Sequence, residues 1–211
     1  MLDAQPGELT ERQQQVLDAT LELLIENAAN VTMIAVARKA SCSKETLYKW
    51  FGDRGGLLAA AVRYQASKVK VAPFEAEGLT RDKLASILSG FASDLLSILT
   101  SDISVALNRL AIAQAHLHAG ENGNGENLGS IVLQNGRFST GPRLKVALEA
   151  GMASSLLRQH DSEDAFRSFY GLVVRDIQIR LLLGDTIALS KTDIHAEAQR
   201  ATDQFFTLYG T

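Results

Sequence analysis

Nine consecutive residues, Ser43-Lys44-Glu45-Thr46-Leu47-Tyr48-Lys49-Trp50-Phe51, concentrate two ammonium groups, three hydroxyls and three aromatic rings. On a helix, Leu47 and Phe51 fall on one side and turn inward. Lys44, Glu45, Thr46, Tyr48, Lys49 and Trp50 are then left exposed or half-exposed. Cations and hydroxyls of this kind hydrogen-bond phosphate oxygens, and mixed donors, acceptors and rings meet base edges in a DNA groove. A merely solvated helix would also carry a polar face, so the surrounding elements must decide.

Those elements read as three short helices and a longer one. Thr10 with Gln13 forms a capping-box pattern ahead of an amphipathic helix bearing Val16, Leu17, Ala19, Thr20, Leu23 and Leu24. A short apolar segment, Ile34, Val36 and Ala37, leads into Ala40-Ser41-Cys42-Ser43, small residues suited to a tight turn. Ser43 is a natural N-cap for Lys44 to Phe51. Asp53 can cap a fourth helix carrying Leu57, Leu58, Ala61 and Val62. Two helices joined by a three- to four-residue turn form a helix-turn-helix. Val36, Ala37, Ala40, Leu47 and Phe51 are expected to bury together and fix its angle.

Charge supports the same reading. The 211-residue chain is 46% hydrophobic and 21% charged, with a formal charge of −3. Residues 31–72, however, hold eight Lys/Arg against two Asp/Glu, a net +6 that leaves −9 for the remainder. A basic module inside an acidic chain is a nucleic-acid footprint that the total conceals. The single cysteine, Cys42, excludes an internal disulfide and a multi-cysteine zinc site. Met1 to Pro6 has neither a basic nor an apolar run, so no signal peptide is expected, and a reducing, cytoplasmic setting is the default.

The stretch Thr32-x-x-x-Val36-Ala37-x-x-Ala40-Ser41-Cys42-Ser43-Lys44-Glu45-Thr46-Leu47-Tyr48-Lys49-Trp50-Phe51, followed by Leu57-Leu58, resembles the DNA-binding signature of the TetR (tetracycline-repressor-like) family. The likeness covers about residues 10–65. It implies that Thr32 caps the second helix and touches a phosphate, and that Ser43 caps the recognition helix. It also places Lys44, Thr46, Tyr48, Lys49 and Trp50 toward DNA, with Arg54 on a phosphate. The family commonly has Gly-Val where this chain has Ser41-Cys42, so Ser41 is expected to take positive φ at a modest strain. Cys42 is expected as a small buried hydrophobe, with a redox-sensing thiol as the sharper alternative. Gly55-Gly56 weakens the first turn of the fourth helix, which either loosens that joint or has no consequence.

After Pro73 the pattern is of longer helices. Thr80 can cap one bearing Leu84, Ile87, Leu88, Phe91 and Leu95, and another is expected from about Ser101 to His118. Gly120 to Asn127 reads as a loop. Helices follow near 127–136, from Pro142 to about Arg158, from Asp161 or Ser162 to Leu183, and from Ser190 with Asp193 onward. The fold is therefore expected to be all-α with about nine helices. Residues 1–72 would form the helix-turn-helix domain with its linking fourth helix, and 73–211 a helical effector-binding and dimerisation domain.

The segment Phe166 to Leu183 is apolar on two faces, which buries a helix on both sides. The resemblance implies that it and the last helix pair with their copies in a homodimer, through Leu172, Ile179, Leu183, Ala198 and Phe205. It implies as well a pocket for an apolar small-molecule effector. Candidate lining residues are Phe91, Leu95, Arg109, Ile112, His116, Phe138, Leu148, Met152, Phe169 and Tyr170, with Arg109, His116 and Tyr170 as its polar groups. No metal or cofactor is expected, since His116 and His118 diverge on a helix. Arg175-Asp176 and Arg180 are expected in salt bridges. An all-α enzyme would need a nucleophile-base pair or clustered carboxylates, and the acids here are scattered. The resemblance thus implies a ligand-released repressor on a palindromic operator. A dimeric ligand-binding adaptor without DNA binding stands as the alternative.

Overall fold

A computed structural model describes residues 9–27, 31–115 and 128–211. Every regular element among them is helical: α1 (Glu11–Asn27), α2 (Met33–Lys39), α3 (Lys44–Phe51), α4 (Arg54–Ser67), α5 (Arg81–Leu99) and α6 (Asp102–Ala115) come first. α7 (Leu128–Val132), a π-helical turn (Leu133–Arg137), α8 (Phe138–Ala153), α9 (Ser162–Val174), α10 (Ile177–Leu182) and α11 (Lys191–Tyr209) follow. The expected Gly120–Asn127 loop and the end of the helix near His118 lie outside the described residues. No single helix among the described residues is long and apolar enough to cross a membrane.

Helix starts follow the local chemistry of the chain. Thr10 and Gln13 exchange the expected capping-box hydrogen bonds, Gln13 N–H to Thr10 Oγ1 at 3.2 Å and Thr10 N–H to Gln13 Oε1 at 2.9 Å. Thr32, Ser43, Thr80 and Asp161 accept at their own helix starts, and Ser190 with Asp193 completes a second capping box. Each such side chain satisfies a backbone donor that the helix itself cannot.

The chain packs as two compact units. The first comprises the described residues up to 65 together with those in 106–136, and the second 66–105 with 137–211. The 106–136 stretch, placed by linear order in the C-terminal domain, thus packs with the N-terminal helices. In the first unit Val16, Leu17, Leu21, Val31, Val36, Leu47 and Leu57 are fully buried. In the second, α5 packs against α8, α9 and α11 around Leu84, Leu88, Phe91, Leu144, Phe169 and Phe205.

Two helices differ from the sequence expectation. The run from Ser162 toward Leu183 breaks at Arg175-Asp176, where Arg175 takes φ +47°. Tertiary partners capture the broken end. Arg200 donates to the Leu172 carbonyl at 2.9 Å, and Arg175 pairs with Glu197 at 3.7 Å. Arg180 pairs with Asp176 and Asp185, as expected of it. Pro142 sits at the fifth position of α8 rather than in a first turn. Its ring and missing N–H disfavour a regular turn there, and a π-helical turn directly precedes α8.

Candidate nucleic-acid interface

The turn between α2 and α3 is built by the backbone. Ser41 N–H bonds the Arg38 carbonyl at 3.2 Å and Cys42 N–H bonds that of Ala37 at 3.0 Å. This is the paired pattern that ends a helix on a left-handed residue, usually glycine. Here Ser41 occupies that position at φ +49°, as expected from its place in the motif. Cys42 is half-buried, not buried as expected.

Side chains of α1 lock that turn. The Arg12 guanidinium donates to the Ala40 carbonyl at 2.6 Å and the Ser41 carbonyl at 2.8 Å, a cation at the negative end of α2. Lys39 bridges Glu22 at 3.1 Å and Glu26 at 2.6 Å, and hydrogen bonds to these carboxylates, Glu26 first, hold its ammonium above the ordinary lysine value. Lys39 therefore contributes to the local +6 but serves as a strut between α1 and α2. Neither role was legible in the sequence, because 13 or more residues separate the partners.

α3 presents the expected face. Leu47 is fully buried and Phe51 half-buried, with Trp50 meeting the Phe51 ring edge-on at 6.2 Å. Lys44, Glu45, Tyr48 and Lys49 are exposed, Tyr48 at 46% of its surface, while Thr46 and Trp50 are half-buried. Lys44 Nζ stands 5.6 Å from the centroid of the Tyr48 ring, one turn on, so the two are partly preorganised. Ser43 Oγ accepts from Thr46 N–H at 3.1 Å and lies 3.0 Å from Thr46 Oγ1. Glu45 is held below the usual carboxylate range by its own backbone N–H and by the Ser43 hydroxyl. Arg38 is also exposed, at the last turn of α2.

Thr32 caps α2, its Oγ1 accepting from Ala35 N–H at 3.1 Å, and it is exposed. Arg54, expected on a phosphate, donates from Nε to the Val31 carbonyl at 2.7 Å and so ties the start of α4 to the residue before that cap. Gly56, read in the sequence as a weak first turn, has a specific role. A Cβ there would lie 2.1 Å from the Phe51 carbonyl oxygen, so only glycine lets α4 start this close behind α3. Gly52 makes the intervening corner at φ +78°. Further along α4, the Tyr64 hydroxyl reaches Asp18 on α1 at 3.3 Å; burial, then the Asp18 charge, raises its pKa.

Because Ser43 supplies both the cap and the Thr46 contact, Ser43→Ala is expected to cost about 1 kcal/mol of stability. Ser43→Asp restores the cap and should keep that stability, yet it should weaken DNA binding through an added charge that phosphates repel. Thermal unfolding and DNA titration of the two variants side by side check this.

The expected effector-lining residues are not gathered in one place. Phe91, Leu95, Leu148, Met152 and Phe169 belong to the close-packed core of the second unit, with Phe91 and Phe169 rings 6.4 Å apart. Tyr170 is half-buried against Phe166. Arg109 and Ile112 are exposed on α6, in the first unit, and Phe138 is exposed on α8. His116 lies outside the described residues. The second unit does hold a crevice of about 270 Å³ between α8 and α9, lined by Phe138, Gly141, Pro142, Lys145, Glu163, Phe166 and Arg167. Glu163, in its lining, pairs with Lys145 at 2.9 Å and Arg167 at 3.1 Å, which lowers its pKa. Among the expected interface residues, Ile179 and Leu183 are 55% and 81% exposed and Leu172 is half-buried. Ala198 and Phe205 are instead fully buried, because the apolar stripe of α11 faces α5 and α9.

Residues 16–61 match the family described as bacterial regulatory proteins, tetR family, and residues 86–211 match that of the AefR-like transcriptional repressor, C-terminal domain. A TetR transcriptional regulator from Agrobacterium tumefaciens is 45% identical, each chain being 96% covered, with a TM-score of 0.78. A TetR-family regulator from Mesorhizobium loti shares the fold at 21% identity and a TM-score of 0.74, over 96% of this chain and 100% of that one. The HTH-type transcriptional regulator BetI of Stenotrophomonas maltophilia is 34% identical over 88 residues, 39% of this chain and 45% of that relative. The match thus spans less than half of BetI.

Proposed function

Because the chain belongs to the TetR family of transcriptional regulators, we propose that it is a repressor that reads a palindromic operator as a homodimer and is released by a small, largely apolar effector. The observation that carries this reading is the exposed Lys44, Tyr48 and Lys49 face of α3, held in one orientation by the Ser43 cap and the Arg12 clamp on the turn. In a two-fold dimer, two such helices would enter successive major grooves about 34 Å apart. Thr32 and Ser43 sit at helix starts, where backbone N–H groups favour a phosphate. Thr46 and Trp50, half-buried on the same helix, are proposed at the rim of the contact, and Arg54 at its edge.

Leu183 and Ile179 are the proposed centre of the subunit contact, since they stand four residues apart at the end of α10 and Leu183, at 81%, is the most exposed large apolar side chain among the described residues. The crevice between α8 and α9 is the proposed effector site, its lining combining apolar Phe138, Pro142 and Phe166 with the ion-paired Lys145, Glu163 and Arg167. Its size is near the lower end for small-molecule sites. An effector would act by preferring a dimer whose recognition helices do not match the operator, and its effect is limited to that difference in affinity.

Titration of the gene's own upstream DNA at stepped salt tests the reading. Footprinted, competitor-resistant binding that weakens linearly in log–log with salt is expected. Binding that vanishes under competitor DNA would favour the helical adaptor instead.

A further inference from the structure

The crevice between α8 and α9 carries a charge balance that an entirely apolar occupant would leave unused. Lys145 of α8 and Glu163 and Arg167 of α9 line it beside Phe138, Pro142 and Phe166. Glu163 accepts from Lys145 Nζ on one carboxylate oxygen at 2.9 Å and from Arg167 Nε on the other at 3.1 Å. One carboxylate therefore serves two cations. Both pairings hold it below the usual carboxylate range, so it stays ionised at neutral pH and the lining is left with an excess cation. An ammonium and a guanidinium each have donors beyond the single bond given to Glu163. Among the described residues, the two terminal nitrogens of Arg167 have no hydrogen-bond partner. Glu149, one turn beyond Lys145, accepts from the Ser162 hydroxyl at 2.8 Å and is not part of the lining.

The apolar part of the crevice suits a flat ring. Phe138, at the start of α8, is 53% exposed, and Pro142 is exposed one turn on. Phe166 of α9 lies against Gly141. A Cβ at that glycine would stand 3.0 Å from Phe166 Cε1, so the bare backbone lets the phenyl ring seat on α8. Two phenyl rings and a pyrrolidine thus flank the cations, and aromatic groups pack on such rings edge-on or offset. The volume of about 270 Å³ is room for roughly nine water-sized groups at ~30 Å³ each. That limits the occupant to one ring with a short substituent.

We propose that the effector held by this crevice is a small aromatic monocarboxylic acid, with its ring among Phe138, Pro142 and Phe166 and its carboxylate on the remaining donors of Arg167 and Lys145. This rests on the effector reading above. The acid completes an alternation of two cations and two carboxylates. An amine would meet Lys145 and Arg167 as like charges, and an alcohol would gain only neutral hydrogen bonds, about half as strong as charge-assisted ones. Arg167 is 65% exposed, so water screens part of the gain and the expected preference is moderate.

The test is a ligand-observed NMR titration of the full chain with three probes of similar shape: phenylacetate, 2-phenylethanol and 2-phenylethylammonium. Phenylacetate is expected to bind about tenfold more tightly than the alcohol, and the amine most weakly. Phe138→Ala should weaken acid and alcohol by a similar factor, which locates both in the crevice. Arg167→Gln should reduce the preference for acid over alcohol to within about threefold. Glu163→Gln removes the competing carboxylate and releases both cations, so it should raise that preference to about 30-fold. A folding defect would lower the bound fraction for every probe and leave the preference unchanged. Should Arg167→Gln not fold, Lys145→Gln is read in the same way. An unsubstituted chain that does not prefer the acid, or a preference that survives Arg167→Gln and Lys145→Gln together, overturns the proposal while the effector reading stands. If no probe binds, or if Phe138→Ala leaves the binding of all three unchanged, the crevice fails as an effector site and the proposal fails with it.

Discussion

At about 150 mM salt, the Lys44→Ala/Lys49→Ala double variant is expected to bind operator roughly 10²–10³-fold more weakly than the unsubstituted chain. Both ammonium groups are exposed on α3, and among the described residues neither takes part in an ion pair. In a dimer the substitution removes four cations from the DNA face. Every phosphate left without its cation lowers the log–log salt slope by about 0.9, so the slope should fall by up to about 4. The slope separates this effect from a folding defect, which would lower the active fraction and leave the slope unchanged. Tyr48→Phe, which removes only a hydroxyl, should cost less and leave the slope nearly unchanged. If the double variant and Tyr48→Phe both bind as the unsubstituted chain does, α3 is a solvated helix and the DNA reading fails. Lys39 makes a useful contrast. Its ammonium is committed to Glu22 and Glu26, so Lys39→Ala should loosen the first unit and take little from the slope.

The second large effect concerns Phe205. Phe205→Ala is expected to destabilise the second unit by about 3–5 kcal/mol. The ring is fully buried, meets Phe169 edge-on at 5.2 Å and stacks on Tyr209 at 4.7 Å. Its removal would leave a cavity between α5, α9 and α11 that packed neighbours fill only in part. For a chain of this size that is a fall in Tm of roughly 10 °C. The family resemblance implied the same residue for the subunit contact, and the two placements predict different measurements. A core residue lowers Tm at every protein concentration. An interface residue shifts the dissociation midpoint instead, as expected of Leu183→Glu at the 81% exposed position. A Phe205→Ala chain that keeps its Tm but dissociates on dilution would return this residue to the interface.

Much of the reader unit was legible along the chain, because its determinants are local. Thr10, Ser43 and Asp53 announce helix starts through hydrogen bonds spanning three residues, and the resemblance added Thr32 on the same pattern. The burial of Val36, Ala37, Ala40 and Leu47 follows from spacing alone. Even the strain at Ser41 was readable through the family resemblance, because the family commonly has glycine at that place in the turn. The C-terminal helices were placed less well. The break at Arg175 is caught by Arg200 and Glu197 from α11, and the regularity of the Ser162–Leu183 pattern carries no trace of them.

The linear chain thus dictates its helical periodicity, its capped starts, the helix-turn-helix and the identity of the residues on the exposed face of α3. Each depends on neighbours within about one turn, where side-chain direction is set by backbone geometry. Which apolar stripe meets core and which meets solvent emerges from packing in three dimensions, as Phe205 and Leu183 show from equally apolar patterns. The same packing makes Gly56 obligatory at a close approach and Lys39 a strut. It also brings Arg12 and Arg143 to backbone carbonyls 28 and 74 or more residues away. An apolar side chain is driven out of water without regard to its partner, and a cation satisfies whichever carbonyl the fold brings to it. Pattern therefore fixes that a group must be buried or bonded, and packing fixes against what.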